Sequence, residues 1–383
     1  MQDISSNYQI LIYLIGCTLN KKIPDKSIFE NLDLDELEKQ SEFHSVSALA
    51  AKALSSYFNN RDFFSADDAA KWSKILNNSV RRNLIIAAER KAVCDILEAN
   101  RIWHTPLKGS VIQDFYPYFG IREMNDVDIL IDKSRAQEIR DLMVARGYGV
   151  IEFGISYHDI YEKNPVYEFE MHTELYSKNH TKLNEYYSDI KDRFVKKEGR
   201  NFEYTFTPDD FYIYTIAHAC KHLNASGIGL KPLADIYVYR KAVELDEDYL
   251  KAELDKLGLK ENEKTLRNLS DKLFSTDEVL SKEKLTDEEN KILGYMLAAG
   301  SNGSFFNKIK NGINSEDSES TNRRKLKYIR KRLFLKPYQY EKSYPFFYKH
   351  RWARPFLPLV RLGKSVTVKR KKVILELKYI KKS

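Results

Sequence analysis

The stretch from Leu107 to Ile131 reads LKGSVIQDFYPYFGIREMNDVDILI and contains the features that decide the fold. Its last part, from Asp126 to Ile131, alternates acidic and apolar residues before it becomes wholly apolar. Alternation with a period of two indicates a strand with one polar and one buried face. The stretch opens on a Lys-Gly-Ser turn, and the residues from Val111 to Tyr118 suit a helix that ends at Pro117 and Gly120. We therefore predict a glycine turn, a helix and then a strand.

The periodicity of apolar residues divides the rest of the chain. Residues 1–100 follow the 3.6-residue period of helices, and 101–205 suit a β-α-β-α-β core with a mixed sheet. Helical patterns return in 206–300, beginning at Pro208. Residues 301–322 are rich in Asn, Ser, Gly and Glu and predict a linker, and 323–383 form a basic, aromatic-rich segment. The predicted fold class is α+β, with a mixed-sheet core flanked by helical domains.

The composition predicts a soluble protein of more than one domain. The chain has 383 residues, of which 43% are apolar and 31% charged, and it contains no apolar run of about 18 residues that would predict a membrane span. The first twenty residues lack a basic start, so we expect a buried helix there and no signal peptide. Cys17, Cys94 and Cys220 lie far apart without a CxxC pair, which argues against disulfides and structural zinc. We expect a cytoplasmic location.

The positive charge is concentrated at the C-terminal end. The net charge is +8, but residues 323–383 carry 21 Lys and Arg against two acidic residues, so the rest of the chain is acidic. Interleaved aromatic residues suit a weak contact with a polyanion such as RNA, or with an anionic membrane surface. The alternative is a helical appendage that packs on the acidic body, and the many apolar residues of the segment favour packing.

Two aspartates suggest metal chemistry. On a strand, Asp126 and Asp128 point to the same face with Cα atoms roughly 6.6 Å apart, a spacing that lets both reach one or two divalent metal ions. A third carboxylate should come from a neighbouring strand, and residues 167–172 supply Glu168 and Glu170 on one face. We choose Glu170 because Phe169 and Met171 on its flanks are typical of a sheet interior, and Glu168 remains the alternative.

The residues before this strand suit the binding of phosphates. A glycine turn exposes backbone N–H groups to phosphate oxygens, and Gly109 stands between a cation, Lys108, and a hydroxyl, Ser110. Arg122 is a second cation between the turn and the aspartates. We predict that these four residues hold a triphosphate.

Together these motifs resemble those of the DNA polymerase β-type nucleotidyltransferase superfamily, which has Gly-Ser after a strand, an Asp-x-Asp strand and a later acidic strand. More narrowly, Lys108-Gly109, Tyr116-Pro117, Arg122, Asp126-x-Asp128 and Glu170-x-His172 resemble a bacterial family of uncharacterised nucleotidyltransferases. The downstream residues that resemble the same family are His218, His222 and Asp235.

The resemblance implies a polymerase β-like core and a reaction. A nucleoside monophosphate would pass from an NTP to an acceptor, with release of pyrophosphate and with Mg²⁺ or Mn²⁺ held by Asp126, Asp128 and Glu170. Glu170 would be the third ligand or the base that deprotonates the acceptor. His218, Lys231 and Asp235 would face the nucleotide.

The identity of the acceptor stays open among a small molecule, RNA and protein. One rival interpretation is a toxin-like nucleotidyltransferase that modifies tRNA or a protein. Another is a non-catalytic nucleotide-binding module whose carboxylates are structural.

Overall fold

The structure is a computed structural model that describes residues 6–275, 278–279, 285–316, 318, 320–335, 344–367 and 370–382. The chain forms two compact units. The first comprises residues 1–220 and 229–301, and the second comprises residues 221–228 and 302–383.

The first unit begins with four helices: α1 (Ser6–Leu19), α2 (Leu34–Phe43), α3 (Ser47–Leu54) and α4 (Ala66–Ala99). Helix α4 is the longest of these, with 34 residues, and it starts where the Ser65 hydroxyl accepts a hydrogen bond from the Asp68 amide. Such a cap satisfies one of the free N–H groups at a helix start. The predicted helical character of the N-terminal part is confirmed.

A mixed five-stranded sheet follows, built from β1 (His104–Pro106), β2 (Val127–Ile131), β3 (Gly149–Glu152), β4 (His158–Lys163) and β5 (Tyr167–His172). The strand order is β1-β2-β5-β4-β3. Strands β2 and β5 are parallel, and the other neighbours are antiparallel. This sheet and its surrounding helices confirm the predicted α+β class with a mixed sheet.

The two faces of the sheet differ as the alternation predicts. Val127, Ile129 and Ile131 of β2 and Phe169 and Met171 of β5 are buried in one hydrophobic core. Helix α4 and α6 (Ala136–Ala145) cover this core. The intervening side chains of β2 and β5 therefore point to the opposite face, where the acidic residues lie.

Two local predictions were wrong. Strand β4 was not predicted, because its sequence HDIYEK lacks apolar alternation; buried Asp159 takes an inward position and accepts a hydrogen bond from the Gly154 amide at 2.6 Å. The helix predicted over Val111–Tyr118 is instead a four-residue helix, α5 (Gly109–Ile112), followed by a single 3₁₀ turn.

The remainder of the first unit is mainly helical. Helix α7 (Thr181–Tyr186) and the hairpin of β6 (Phe194–Lys196) and β7 (Tyr204–Phe206) precede α8 (Pro208–Ala225), whose last residues belong to the second unit. Three helices then follow, α9 (Lys231–Ala242), α10 (Glu247–Leu257) and α11 (Lys260–Phe274), and α12 (Asp287–Ala299) is the last. Within the described ranges, no helix is both long and apolar enough to cross a bilayer.

The second unit is helical in its described residues: α13 (Phe305–Asn314), α14 (Thr321–Leu333), α15 (Pro345–Lys349), α16 (Leu357–Thr367) and α17 (Arg370–Lys382). Ile380 of α17 is buried against Ile309 and Ile313 of α13. The range 301–322, for which a linker is predicted, thus contains a helix that packs with the basic segment. The boundaries of the five predicted domains remain predictions.

Candidate active site

Three carboxylates converge on the polar face of the sheet. Asp126 immediately precedes β2, Asp128 lies within it, and Glu170 lies in β5 directly opposite Asp128 in the parallel register. Each of the three offers an oxygen, and these oxygens lie within 4.8 Å of one another. Asp128 is 3% exposed, while Asp126 and Glu170 are half-buried. Carboxylate oxygens in this arrangement suit a hard divalent cation such as Mg²⁺ or Mn²⁺.

Glu168 lies on the same face of β5 but in different surroundings. It is the register partner of Glu162 in β4 and lines a separate cavity of about 220 Å³ with Arg82 and Lys163. Burial and the nearby charge of Asp126 raise the pKa of Glu168. The geometry therefore places Glu170, rather than Glu168, with the two aspartates.

Lys108 and His172 contact the most deeply buried carboxylate. The Lys108 ammonium donates a hydrogen bond of 2.5 Å to Asp128 Oδ1, and His172 Nε2 lies 2.8 Å from the same oxygen. Burial alone would raise the pKa of Asp128, but the charge of Lys108 and the contact with His172 outweigh it and lower that pKa. Burial and the charge of Asp128 raise the pKa of Asp126. Negative charge at the cluster is thus only partly compensated, as expected for a cation site.

Two histidines lie beside Glu170. His172 Nε2 is 3.3 Å and His158 Nδ1 is 3.9 Å from Glu170 Oε2. Together the three residues form a second group of donors close enough to share a metal ion. His158 was missed in the sequence because it belongs to β4, whose pattern gives no strand signal. His172 entered the sequence analysis only through the motif Glu170-x-His172, and its contact with Asp128 is an additional finding.

The glycine turn lies against β2. Lys108 has a φ of +47°, and the Leu107 amide donates a 2.9 Å hydrogen bond to the Asp128 carbonyl. A Cβ on Gly109 would lie 2.5 Å from Arg122 Nη1, so glycine allows the close approach of this arginine. Ser110 is buried, and its hydroxyl has no hydrogen-bond partner among the described residues. The turn therefore presents a cation and an unsatisfied hydroxyl, although the predicted contacts with phosphate remain predictions.

Arg122 and Asp235 form a buried ion pair. The guanidinium donates two hydrogen bonds, of 2.7 and 2.8 Å, to the two carboxylate oxygens of Asp235, and the Tyr116 hydroxyl donates another at 2.7 Å. Burial lowers the pKa of Arg122, but the charge of Asp235 outweighs this effect and raises it. Both residues were predicted to contact the nucleotide. In this structure they contact each other and link the glycine turn to α9.

The remaining predicted residues, Lys231 and His218, lie on helices α9 and α8. The Lys231 ammonium lies 3.3 Å from the Glu123 carbonyl. Burial and the charge of Arg122 lower the pKa of Lys231, whereas the charge of Asp126 raises it. Lys231 therefore lies within the electrostatic reach of the carboxylates. His218 is half-buried, with its ring 6.1 Å from that of Tyr214. Burial and then Asp128 raise the pKa of Tyr214, a residue near the cluster that the sequence did not single out.

A groove of about 680 Å³ lies at the C-terminal ends of β2 and β5. Leu130 and Ile131 of β2 are part of its wall, as are Asp132, Lys133 and Glu174. Trp103 and Tyr187 supply aromatic surface.

Comparison with known proteins gives one result. A family model described as "Uncharacterised nucleotidyltransferase" matches residues 30–275 of this chain. No curated protein and no solved structure matches it. The matched range includes the glycine turn, both aspartates, Glu170 and the whole of α9 with Asp235.

Proposed function

The chain belongs to this family of uncharacterised nucleotidyltransferases, and on that premise we propose that it transfers a nucleoside monophosphate from an NTP to an acceptor and releases pyrophosphate. The proposal rests chiefly on one observation, the convergence of Asp126, Asp128 and Glu170 with oxygens within 4.8 Å. Family membership supports the class of reaction, and the geometry of the carboxylates supports a location at this cluster.

The donor set fits a divalent cation. Three oxygen ligands on adjacent strands, with burial and Asp128 raising the pKa of Asp126, form a site that gains from a bound positive charge. Asp126, Asp128 and Glu170 would hold Mg²⁺ or Mn²⁺. When bound there, such an ion would neutralise the phosphates and align the reacting phosphorus.

The chain's own residues supply the rest of the site. Lys108, whose ammonium lies against Asp128, can bring a positive charge to the phosphate oxygens, and Gly109 lets the backbone approach them. His172 orients Asp128 and Glu170 through its Nε2. Lys231 and His218 would contact the nucleotide from α9 and α8. Glu170 serves as the third ligand or accepts the proton of the acceptor hydroxyl.

Arg122 has a different role in this account from the one predicted. The Arg122 guanidinium donates hydrogen bonds to Asp235, and its Nη1 packs against Gly109. Arg122 therefore positions the glycine turn. A nucleotide could recruit Nη1 without breaking the ion pair, because Nε and Nη2 make the two bonds to Asp235.

The test uses NTPs labelled at the α-phosphate or at the γ-phosphate, with Mg²⁺ or Mn²⁺ and separate pools of small metabolites, RNA and protein. Transfer of the α label, with the γ label released in pyrophosphate, supports the proposal and identifies the class of acceptor. Binding of Mg²⁺-NTP without any transfer would favour a non-catalytic nucleotide-binding module. If the protein binds neither Mg²⁺-NTP nor Mn²⁺-NTP, both the transfer reaction and the nucleotide-binding module are contradicted.

A further inference from the structure

A second group of metal-ligating side chains lies away from the carboxylates. It consists of Cys94 near the end of α4, His104 at the start of β1 and Glu203 just before β7. Each offers one donor atom, and the three donors lie within 4.8 Å of one another. Cys94 is 3%, His104 0% and Glu203 2% exposed. The group is thus enclosed and chemically mixed, with sulfur, nitrogen and oxygen donors.

The proton positions at His104 leave a lone pair facing this group. His104 Nδ1 lies 2.9 Å from the Ile102 carbonyl, and because a carbonyl can only accept, Nδ1 carries the hydrogen. In the neutral ring, Nε2 then has a free lone pair. Burial lowers the pKa of His104 and favours this neutral ring. A histidine whose second nitrogen donates to a backbone carbonyl is oriented in the way that metal-binding histidines usually are.

Two acceptor atoms therefore face each other in a buried pocket. His104 Nε2 and Glu203 Oε2 are 3.9 Å apart, and neither has a hydrogen-bond partner within the described residues. Glu203 is held in place by Lys197, which donates to Oε1 at 2.5 Å, while the Arg200 Nε lies 3.4 Å from Oε2. The Arg200 guanidinium compensates the charge on Oε2, but a buried His104 Nε2 without a donor is costly. A bound cation would satisfy both atoms.

From this arrangement we propose that Cys94, His104 and Glu203 bind a zinc ion. The ligand atoms of a tetrahedral zinc site lie roughly 3.5 Å apart, so the observed separations require only small side-chain movements. Sulfur and imidazole ligands favour zinc over magnesium. Binding would transfer the thiol proton of Cys94 to solvent and leave thiolate, carboxylate and neutral imidazole to balance the charge of Zn²⁺. A water molecule would complete the fourth position.

Such an ion would join three distant parts of the chain. The ion would fix the last turns of α4 to β1 and to the segment that precedes β7. His104, the first residue of β1, lies four residues before Lys108 of the glycine turn. The proposal departs from the expectation that the cysteines bind no structural zinc. That expectation considered only ligands close in sequence, whereas Cys94 and Glu203 are separated by more than a hundred residues. The zinc proposal does not depend on the proposed transfer reaction.

The first test measures the zinc content of the full-length protein, purified with zinc in the medium and dialysed extensively. We expect about one retained equivalent of zinc in the wild type and less than about a tenth in Cys94→Ala or His104→Gln. Cys220→Ala, which also removes a buried free cysteine, should retain the zinc. Asp128→Asn should retain it as well. Zinc that is lost from Asp128→Asn but kept by Cys94→Ala would place the ion at the carboxylate cluster and overturn the proposal.

The second test does not depend on a variant at the site. Cobalt added to the metal-free wild type and to Cys220→Ala should give the absorption band of a cobalt–thiolate bond, and prior addition of one equivalent of zinc should prevent it. If Cys94→Ala fails to fold, the cobalt spectrum of the wild type and of Cys220→Ala still tests whether a thiolate binds the metal. A wild type that retains no stoichiometric zinc and shows no cobalt–thiolate band would overturn the proposal.

Discussion

Asp128 and Glu170 are register partners in the parallel pairing of β2 and β5, and His172 Nε2 lies between them, 2.8 Å from an oxygen of one and 3.3 Å from an oxygen of the other. This pairing sets Glu170 beside Asp128, and a Glu170 oxygen lies within 4.8 Å of oxygens of both aspartates. Glu168, two residues earlier, lines a different cavity. Strand pairing and these separate surroundings distinguish the two glutamates.

The first prediction compares the two glutamates of β5. Glu170→Gln should lower the rate of nucleotide transfer by at least about a hundredfold, because it removes a charge from the cation site. Glu168→Gln makes the same chemical change on the same face of the strand and should have an effect of less than about threefold. Steady-state rates with saturating Mg²⁺-NTP check this. A larger loss in Glu168→Gln would mean that the wrong glutamate had been chosen.

The second prediction concerns the ion pair of Arg122 and Asp235. Asp235→Ala should lower the free energy of unfolding by about 3–5 kcal/mol, because it leaves a buried guanidinium without its partner. The matched control is Glu138→Ala, which breaks the exposed pair with Arg135 and should cost much less stability, because solvent screens that pair. Denaturant titration at pH 7 measures both. Equal costs would show that Arg122 and Asp235 do not act as a buried pair.

The residues of the candidate site differ in how far they could be predicted from the sequence. Asp126 and Asp128 could be predicted because alternation along one strand fixes the face on which they lie. The pairing of Arg122 with Asp235, 113 residues apart, depends on how α9 packs, and no local pattern encodes it. His158 was missed because β4 carries a buried aspartate where a strand pattern would have an apolar residue. The fold was therefore predictable where one strand face is apolar, and unpredictable where polar contacts between distant segments replace apolar ones.

A third prediction concerns pH and stability through His44. This residue is fully buried, and burial lowers its pKa to about 4. An unfolded histidine has a pKa of about 6.5, so between pH 6.5 and 4 the unfolded state binds a proton that the folded state does not. The free energy of unfolding should therefore fall as the pH is lowered through this window, by up to about 3 kcal/mol.

The check for His44 is a series of denaturant titrations from pH 7 to pH 4 on the wild type and on His44→Gln. The variant should be less stable at pH 7 but should lose less stability on acidification. Because both proteins share every other titrating group, the difference between their slopes isolates His44. If the free energy of unfolding depends on pH equally in both proteins, His44 does not contribute to the loss of stability in acid.

The fourth prediction concerns the packing of the basic segment. Ile380→Ala should destabilise the second unit by about 1–3 kcal/mol, because Ile380 is buried against Ile309 and Ile313. Ile374→Ala, on the same helix but 40% exposed, should cost less than about 0.5 kcal/mol. Thermal unfolding followed by circular dichroism compares the two. Equal effects would contradict the packing of α17 on α13.

The same segment allows a separate test of polyanion binding. Arg323, Lys327 and Arg330 are exposed on α14, and replacing all three by Gln should leave stability unchanged. Packing buries Leu357 and Ile380, whereas other apolar residues of the segment, such as Trp352 and Leu359, are exposed. We expect weak binding of RNA and anionic vesicles that changes little in this variant. Strong binding that falls about 10³-fold between low and moderate salt, and that the variant loses, would instead establish a polyanion site.

The proposed function requires that Asp126 and Asp128 hold a divalent cation for nucleotide transfer. It is tested most directly by transfer of α-phosphate label from an NTP, with Mg²⁺ or Mn²⁺, by the wild type, Asp126→Asn, Asp128→Asn and the control Asp132→Asn. Asp132 lies just after the same strand, and its carboxylate caps the turn at Ser134. We expect both site variants to fold and to lose at least about a thousandfold in rate, while the control keeps wild-type activity. Wild-type transfer by both site variants would contradict the account.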